Sequence, residues 1–234
     1  MRDGWTHELP QMRGDFTTLR EIAESDVFTL FTLFSDPAVT AYMAPSPSTL
    51  AKFAGFVEWS QQQRVHGHGA CFGIVPDGMA AAVGILQVRL EPGLSDAEWG
   101  FVLSTHFWSS GIFADAANLL IDFAFTTMGV ERLEARIALK NTRAQAAMQK
   151  FGAQFDGTLP PPAAQANRRA PESVWSLRPQ HWQKWTRDPH VSAEDAAQRI
   201  RTAIQAAEDA LRQSDSTELV EPYPLFMFDR RRRE

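Results

Sequence analysis

The chain has one cysteine, Cys71, in 234 residues, so no internal disulfide can staple it. No window reaches the roughly 18 consecutive apolar residues that a membrane-crossing helix needs, and the apolar segment Leu119 to Phe125 is already broken by Asp122. No early run joins a basic start to a secretory apolar core. These absences exclude a disulfide scaffold and an integral helical membrane protein, and the expected location is a reducing cytoplasm. A strong charge of either sign is also missing. Net charge −5 and a pI near 5.7 argue against a general nucleic-acid binder, so neither membrane nor nucleic acid is an expected partner. What is present is an ordinary globular mixture, 44% hydrophobic and 22% charged, with enough apolar residues for a sizeable core. The length exceeds a usual domain of about 100–150 residues and falls short of two. One domain with an appendage is the expected layout.

Residues 1–14 show no periodicity and are expected to form a loose N-terminal arm. Phe16 to Arg20 reads as a short strand, and Glu24 to Phe34 as a helix with Val27, Leu30, Phe31 and Phe34 on one face. Asp36-Pro37 stops it. A second helix, Thr49 to Val65, has Ser48 as its expected N-cap. Ala70 to Val75 and Ala81 to Leu90 read as strands joined through Pro76-Asp77-Gly78, a hairpin signal. Asp96 to Ser104 is a third strand of this group. Gly111 opens an apolar helix to about Thr127, Glu131 to Leu139 is a strand, and Asn141 to Phe151 is a helix ended by Gly152. Two strands, Ala153 to Leu159 and Ser173 to Arg178, flank the loop from Pro160 to Pro171. This mixture of strands and helices predicts an α+β domain. From Pro179 the character changes: an alanine-rich amphipathic helix runs from Ser192 to Gln213, expected to pack on the domain or on a second copy in a homodimer. The end, Arg230 to Arg233, is locally basic.

The stretch richest in chemistry runs from the strand Glu98-Trp99-Gly100-Phe101-Val102-Leu103 through Trp108-Ser109-Ser110-Gly111 into a helix. A strand, a Ser/Gly turn and a helix N-terminus present unpaired N–H groups and a positive dipole end, which suit a phosphate. His66-Gly67-His68 lacks a third ligand at metal-site spacing, so no metal is expected. Cys71 lies in an apolar strand and reads as a small buried hydrophobe.

The segments Leu19-Arg20, Glu98 to Phe101, Trp108 to Ala116 and Asn141 to Gly152 resemble the GNAT superfamily of N-acyltransferases, and within it the branch that acetylates N-terminal alanines of ribosomal proteins. The resemblance covers about Asp15 to Trp182, dividing the chain into an arm (1–14), an acyltransferase domain (15–182) and a C-terminal helical extension with a basic tail (183–234). It implies a central, mostly antiparallel mixed sheet flanked by helices. Acetyl-CoA is the implied co-substrate, and a small-molecule amine or a protein N-terminus is the acceptor. The implied coenzyme contacts are Val102, Leu103, Ser109, Ser110, Gly111, Ile112, Phe113, Ala114 and Asn141. Asn141 is equally an N-cap, and Ser110 equally a helix cap.

The reaction such a fold implies is direct attack of an amine on a thioester. A primary amine with pKa about 8 to 10.4 is mostly protonated near neutrality, so a proton must be accepted. Glu98 is the candidate base, with Asp96, His106 and Asp115 as weaker alternatives. A backbone N–H of Val102 or Leu103 is the implied donor to the thioester oxygen. Arg168 and Arg169, in the loop expected over the acceptor, would meet an acidic substrate or simply face solvent.

Two departures from the family pattern stand out. Phe113 replaces a small residue and Ser109 a glycine. Met148 and Ala144 occupy the positions where many members carry a tyrosine or serine acid for the leaving thiolate. A thiolate of pKa about 8.5 scarcely needs one. Two other readings follow: a non-catalytic acyl-CoA-binding protein, or an acyltransferase drawing on a larger acyl-CoA or an aminoacyl-tRNA.

Overall fold

The computed structural model describes residues 4–42, 49–91, 93, 95–161, 170–186 and 192–214. In chain order the elements are α1 (Gly4–His7), β1 (Met12–Arg13), β2 (Thr17–Glu21), α2 (Val27–Phe34), α3 (Pro37–Thr40), α4 (Leu50–Val65), β3 (Gly69–Pro76), β4 (Gly84–Leu90) and β5 (Asp96–Leu103). Then come α5 (Ile112–Thr126), β6 (Arg132–Ala138), α6 (Thr142–Lys150), β7 (Gln154–Leu159), β8 (Glu172–Leu177) and α7 (Ala193–Ser214). Short 3₁₀ turns at Glu24–Asp26 and Thr105–Phe107 precede α2 and α5. Eight strands form one sheet in the order β1-β2-β3-β4-β5-β6-β8-β7. All neighbours are antiparallel except β5 and β6, which run parallel. This is the mixed, mostly antiparallel α+β architecture expected.

Strand alternation separates the two faces of the sheet. Leu19, Phe72, Ile74, Leu86, Val88 and Trp99 are buried, and Phe72 meets Phe123 of α5 edge-on. On the opposite face α4 packs over β3. There Cys71 is buried, and burial pushes its thiol pKa up, as suits a core residue rather than a nucleophile. The extension helix α7 buries Ala196, Ile200, Ala203 and Ala207 against α2 and the Thr105–Phe107 turn. Its apolar stripe therefore meets its own chain.

Three expectations are corrected. Residues 4–13 are not a loose arm, because Trp5 and Leu9 are buried and β1 pairs with β2. Arg64 fixes this segment by donating to the carbonyls of Thr6 and His7. Isolated anchors of this kind leave no periodic trace. The cap of α4 is Thr49, whose hydroxyl accepts from the Lys52 amide at 3.2 Å, while Ser48 lies outside the described residues. The strand expected from Ala81 begins only at Gly84, since the Ala82 amide donates to Asp26 Oδ1 at 2.9 Å instead of to a strand.

Asp26 is fully buried. Its carboxylate accepts from both terminal nitrogens of Arg20, each at 2.7 Å, and from the Ala23 and Ala82 amides at 2.9 Å. Burial alone would raise its pKa, but these donors outweigh that and hold it below the usual carboxylate range. Asp26→Asn is expected to lower the unfolding free energy at pH 7 by about 3–5 kcal/mol, the scale for breaking one side of a buried pair. Because the folded pKa lies below the unfolded value of about 3.9, this stabilisation is present above about pH 4 and fades as pH falls through the folded pKa. Urea titrations should therefore show the two proteins converging in acid. A gap as wide at pH 3 as at pH 7 would count against the assignment.

Candidate active site

The parallel ladder between β5 and β6 holds only three pairs, Asp96↔Arg132, Ala97↔Leu133 and Glu98↔Glu134. Beyond Glu98 the two strands part, and β6 continues alongside β8 alone as far as Ala138. The parity of the remaining backbone groups can be read from the strand ends. On the β4 side the register runs unshifted from Leu90↔Ala97 to Gly84↔Leu103, with Glu91 N–H donating to the Asp96 carbonyl and Ser104 N–H to the Val83 carbonyl. Even-numbered residues of β5 therefore turn their backbone groups toward β4. On the other side the Ser95 carbonyl accepts from the Glu131 amide, so odd-numbered residues turn toward β6. Of the two expected donors, Val102 aims its N–H at Ile85, and Leu103 aims its N–H into the opening. Phe101 shares that direction. The Leu103 carbonyl is occupied by Trp108 Nε1 at 3.0 Å.

The open end of this wedge leads to the turn before α5. Ser109 takes φ +62 and Gly111 φ +96, both in the left-handed region that favours glycine. Ser109 keeps the shape a glycine would give. Its Oγ accepts from Arg143 Nη1 at 3.3 Å, and the Arg143 guanidinium stacks over the Trp108 ring at 4.6 Å. Ser110 is buried and turned inward, its hydroxyl donating to the Phe107 carbonyl at 2.7 Å and accepting weakly from the Ile112 amide at 3.4 Å. Its oxygen is thus used within the turn. Phe113 lies with its ring centroid 4.6 Å from Phe101 and 6.1 Å from Phe151, on the α5 side of the wedge. Ala114 follows it in the first turn of α5.

On the α4 side the floor of the wedge is charged. Glu98, with 13% of its side chain exposed, accepts from Arg89 Nη2 at 2.5 Å. Arg136 hydrogen-bonds Glu134 at 2.9 Å, Glu134 also pairs with Arg132, and Arg132 reaches Asp156 at 2.7 Å. Burial works against the Arg136 charge, and Glu98, Glu134 and Glu172 outweigh it, raising its pKa. Burial would raise the Glu134 pKa, and Arg136 and Arg132 hold it below the normal range. Gln87 stands in the same row, opposite Gly100.

The weaker base candidates have other partners. Asp115 accepts from the amides of Asp15 and Phe16 and from the Thr17 hydroxyl at 2.9–3.0 Å, tying the β1–β2 turn to α5. A Cβ on Gly14 would fall on that carboxylate. Asp96 pairs with Arg132 at 3.5 Å. His106 is exposed beside Asp36. Asn141 caps α6, its Oδ1 accepting from the Ala144 amide at 3.1 Å. Met148 is 1% exposed and Ala144 6%, so both fill core rather than face the wedge. Arg168 and Arg169 lie outside the described residues, as do Arg230 to Arg233. His66 and His68 stack at 5.8 Å, and no group of three metal-ligating side chains occurs among the described residues.

A mixed sheet with one parted parallel pair, a glycine-like turn and a helix N-terminus at its mouth is the setting in which the comparison with acyl-CoA-dependent N-acetyltransferases falls. Residues 17–154 match the acetyltransferase (GNAT) domain, and the chain belongs to the GNAT acetyltransferase family, which uses acetyl-CoA as co-substrate. An uncharacterised N-acetyltransferase, p20, of Bacillus licheniformis is 28% identical over 146 residues, covering 61% of this chain and 81% of its own. A ribosomal-protein-S5-alanine acetyltransferase from Vibrio fischeri superposes with TM-score 0.64 at 16% identity, over 74% of this chain and 99% of that one. The microcin C7 self-immunity acetyltransferase MccE, solved with acetyl-CoA and AMP, superposes with TM-score 0.60 at 18% identity, over 70% and 93%. None of the described helices is long and apolar enough to cross a membrane.

Arg143 was not singled out from the sequence. A basic residue in the first turn of a helix opposes the dipole, and that local misfit is the signal that would have flagged it. The Ser109 geometry is directly testable. A non-glycine residue in the left-handed region costs about 1–3 kcal/mol, partly offset by the smaller unfolded-state entropy of serine relative to glycine. Ser109→Gly should therefore raise the unfolding free energy by up to about 1 kcal/mol, and Ser109→Val should lower it. Chemical denaturation reads both. A clear loss for the glycine variant would argue that the Arg143 contact outweighs the backbone strain.

Proposed function

We propose that this chain moves an acetyl group from acetyl-CoA to a primary amine at the parting of β5 and β6, and the observation carrying this is the ladder that stops at Glu98↔Glu134. The odd-numbered strand edge from Trp99 to Leu103 would receive the pantetheine amides. The Leu103 N–H, with Phe101 beside it, is the donor aimed where negative charge develops on the thioester oxygen. The Ser109–Ala114 turn and the N-terminus of α5 would take the pyrophosphate, with Arg143 as a charge-assisted donor and Asn141 at the start of α6. Residues 15–182 would carry the reaction, and the extension from 183 would buttress it through α2 and the Thr105–Phe107 turn.

Glu98 stands at the point of the wedge, on the face opposite Phe113. Held by Arg89, it would accept the ammonium proton directly or through one water. The free amine then forms a bond to the acyl carbon, the nitrogen gives its second proton to solvent, the carbon–sulfur bond breaks, and the thiolate leaves. With Met148 and Ala144 buried, no side chain of α6 needs to protonate it, and solvent suffices for a group of pKa about 8.5. A protein N-terminus and a small amine both fit as acceptor classes. Phe113 favours a second reading, because its ring fills space beside Phe101 where a small residue would leave room for coenzyme. On that reading the chain holds acyl-CoA without turning it over, or uses another donor.

Purified protein mixed with acetyl-CoA and a panel of primary amines and peptides should release free thiol. Glu98→Gln is expected to lower kcat by about 10²–10⁴, the usual worth of a general base. Phe113→Ala should lower the KM for acetyl-CoA, and Arg143→Ala should raise it about tenfold, the loss of one charge-assisted contact. Full activity in Glu98→Gln removes Glu98 as base. Coenzyme binding by calorimetry without thiol release across the whole panel supports the non-catalytic reading.

A further inference from the structure

Gln87 is 3% exposed, and its Oε1 has no hydrogen-bond partner among the described residues. A buried amide carbonyl without a donor is costly and calls for a function. Its place in the sheet supplies one. Gln87 stands opposite Gly100, and the next pair along the same face is Arg89↔Glu98. Gly100 projects no side chain over it, so the row Gln87, Gly100, Glu98 leads straight to the end of the parallel ladder.

The charge of this face points to the kind of molecule that meets it. The arginines are already committed: Arg89 to Glu98 and Glu91, Arg136 to Glu134, and Arg132 to Glu134, Asp156 and Asp96. Glu172 adds a further carboxylate beside Arg136, and Arg178 a further arginine near Asp156. Carboxylates remain in excess. An ammonium carries donors only, and Gln87 Oε1 and the Glu98 carboxylate are acceptors.

We propose that Gln87 and Glu98 form the seat for the acceptor's ammonium group, and that the acceptor is a basic amine favoured by a second positive charge. This rests on the acetyl-transfer reading for the location of the acceptor, and it adds a recognition residue and a substrate class to it. Gln87 binds and does not take the proton.

A matched series tests it on the full chain loaded with CoA: 1,4-diaminobutane, butylamine and 4-aminobutanoate, with binding read by calorimetry. Affinity should fall in that order, and Gln87→Met should weaken 1,4-diaminobutane by about tenfold or more, the worth of a hydrogen bond to a charged group. The variant should keep the wild-type melting temperature, because its lost oxygen had no internal partner. Preference for 4-aminobutanoate, no binding of any of the three, or a lowered melting temperature with unchanged affinity would each overturn the proposal. Ordered binding that depends on Gln87, with no thiol released from acetyl-CoA, would sustain the seat and refute acetyl transfer. Thiol release with peptides but indifference to Gln87→Met would do the reverse.

Discussion

A carboxylate without solvent contact persists in a fold only when its oxygens are filled with donors, and Asp26 receives four. Two come from Arg20 of β2, one from Ala23 at the entry to α2, and one from Ala82 in the β3–β4 connection. Removing any one would leave part of a buried charge uncompensated. Asp26 therefore fixes three segments relative to one another: an outer strand, the first helix over the sheet, and the loop from which β4 starts. Arg20 extends the tie by donating to the Ala80 carbonyl at 3.0 Å. The position of α2 over the sheet follows from this lock, and α7, packed on α2, inherits it.

Once β4 is anchored, the wedge follows from pairing. β5 is held along its whole length by β4, with no register shift over seven pairs. β6 is held by β8 from Leu133 to Ala138. Only the first three residue pairs remain for β5 and β6 to share, and the twist of a sheet divides strands that are each committed to an outer neighbour. The two faces of the opening differ in kind. Toward α5 it is aromatic, built by Trp99, Phe101, Phe113 and Phe151. Toward α4 it is ionic, built by Arg89, Glu98, Glu134 and Arg136. The sheet thus presents an aromatic face and an ionic face at one opening.

The parts of this arrangement that depend on local order were legible in the sequence. Apolar content after Gly111 placed α5, helix periodicity placed α6, the Asp77-Gly78 turn placed the β3–β4 hairpin, and Asn141 announced its cap. The motif from Glu98 to Ala116 spans the strand that parts from β6 and the turn that precedes α5. What depends on distant partners was not legible. Asp26 looks like any polar residue at a helix start, and its significance lies in Ala82, 56 positions away. Asp115 resembled a helix-start acid, but its partners are at Asp15 to Thr17. The direction of the Leu103 N–H depends on an unbroken register with β4, which no single strand reveals. Glu98 could be named from its motif, although the arginine holding it could not.

Two of the departures from the family pattern, Ser109 and Phe113, flank the start of α5 and act differently. Ser109 changes the residue and keeps the backbone: the left-handed conformation persists, and the added hydroxyl gains a contact with Arg143, which itself leans on Trp108. The N–H groups of the turn consequently point as a glycine would have them. Phe113 keeps the helix and changes the space. Its ring joins a continuous aromatic run from Phe101 through Phe151 to Trp185, where Phe151 and Trp185 lie 5.3 Å apart. Trp185 is in turn fastened by reciprocal hydrogen bonds between its backbone and the Asn118 side chain. The C-terminal segment thus presses, through Phe151, on the Phe113 ring. A side chain packed from both sides loses rotamer freedom, so the Phe113 ring can move only together with this aromatic run. The α5 side of the wedge and the segment carrying Trp185 are therefore physically linked.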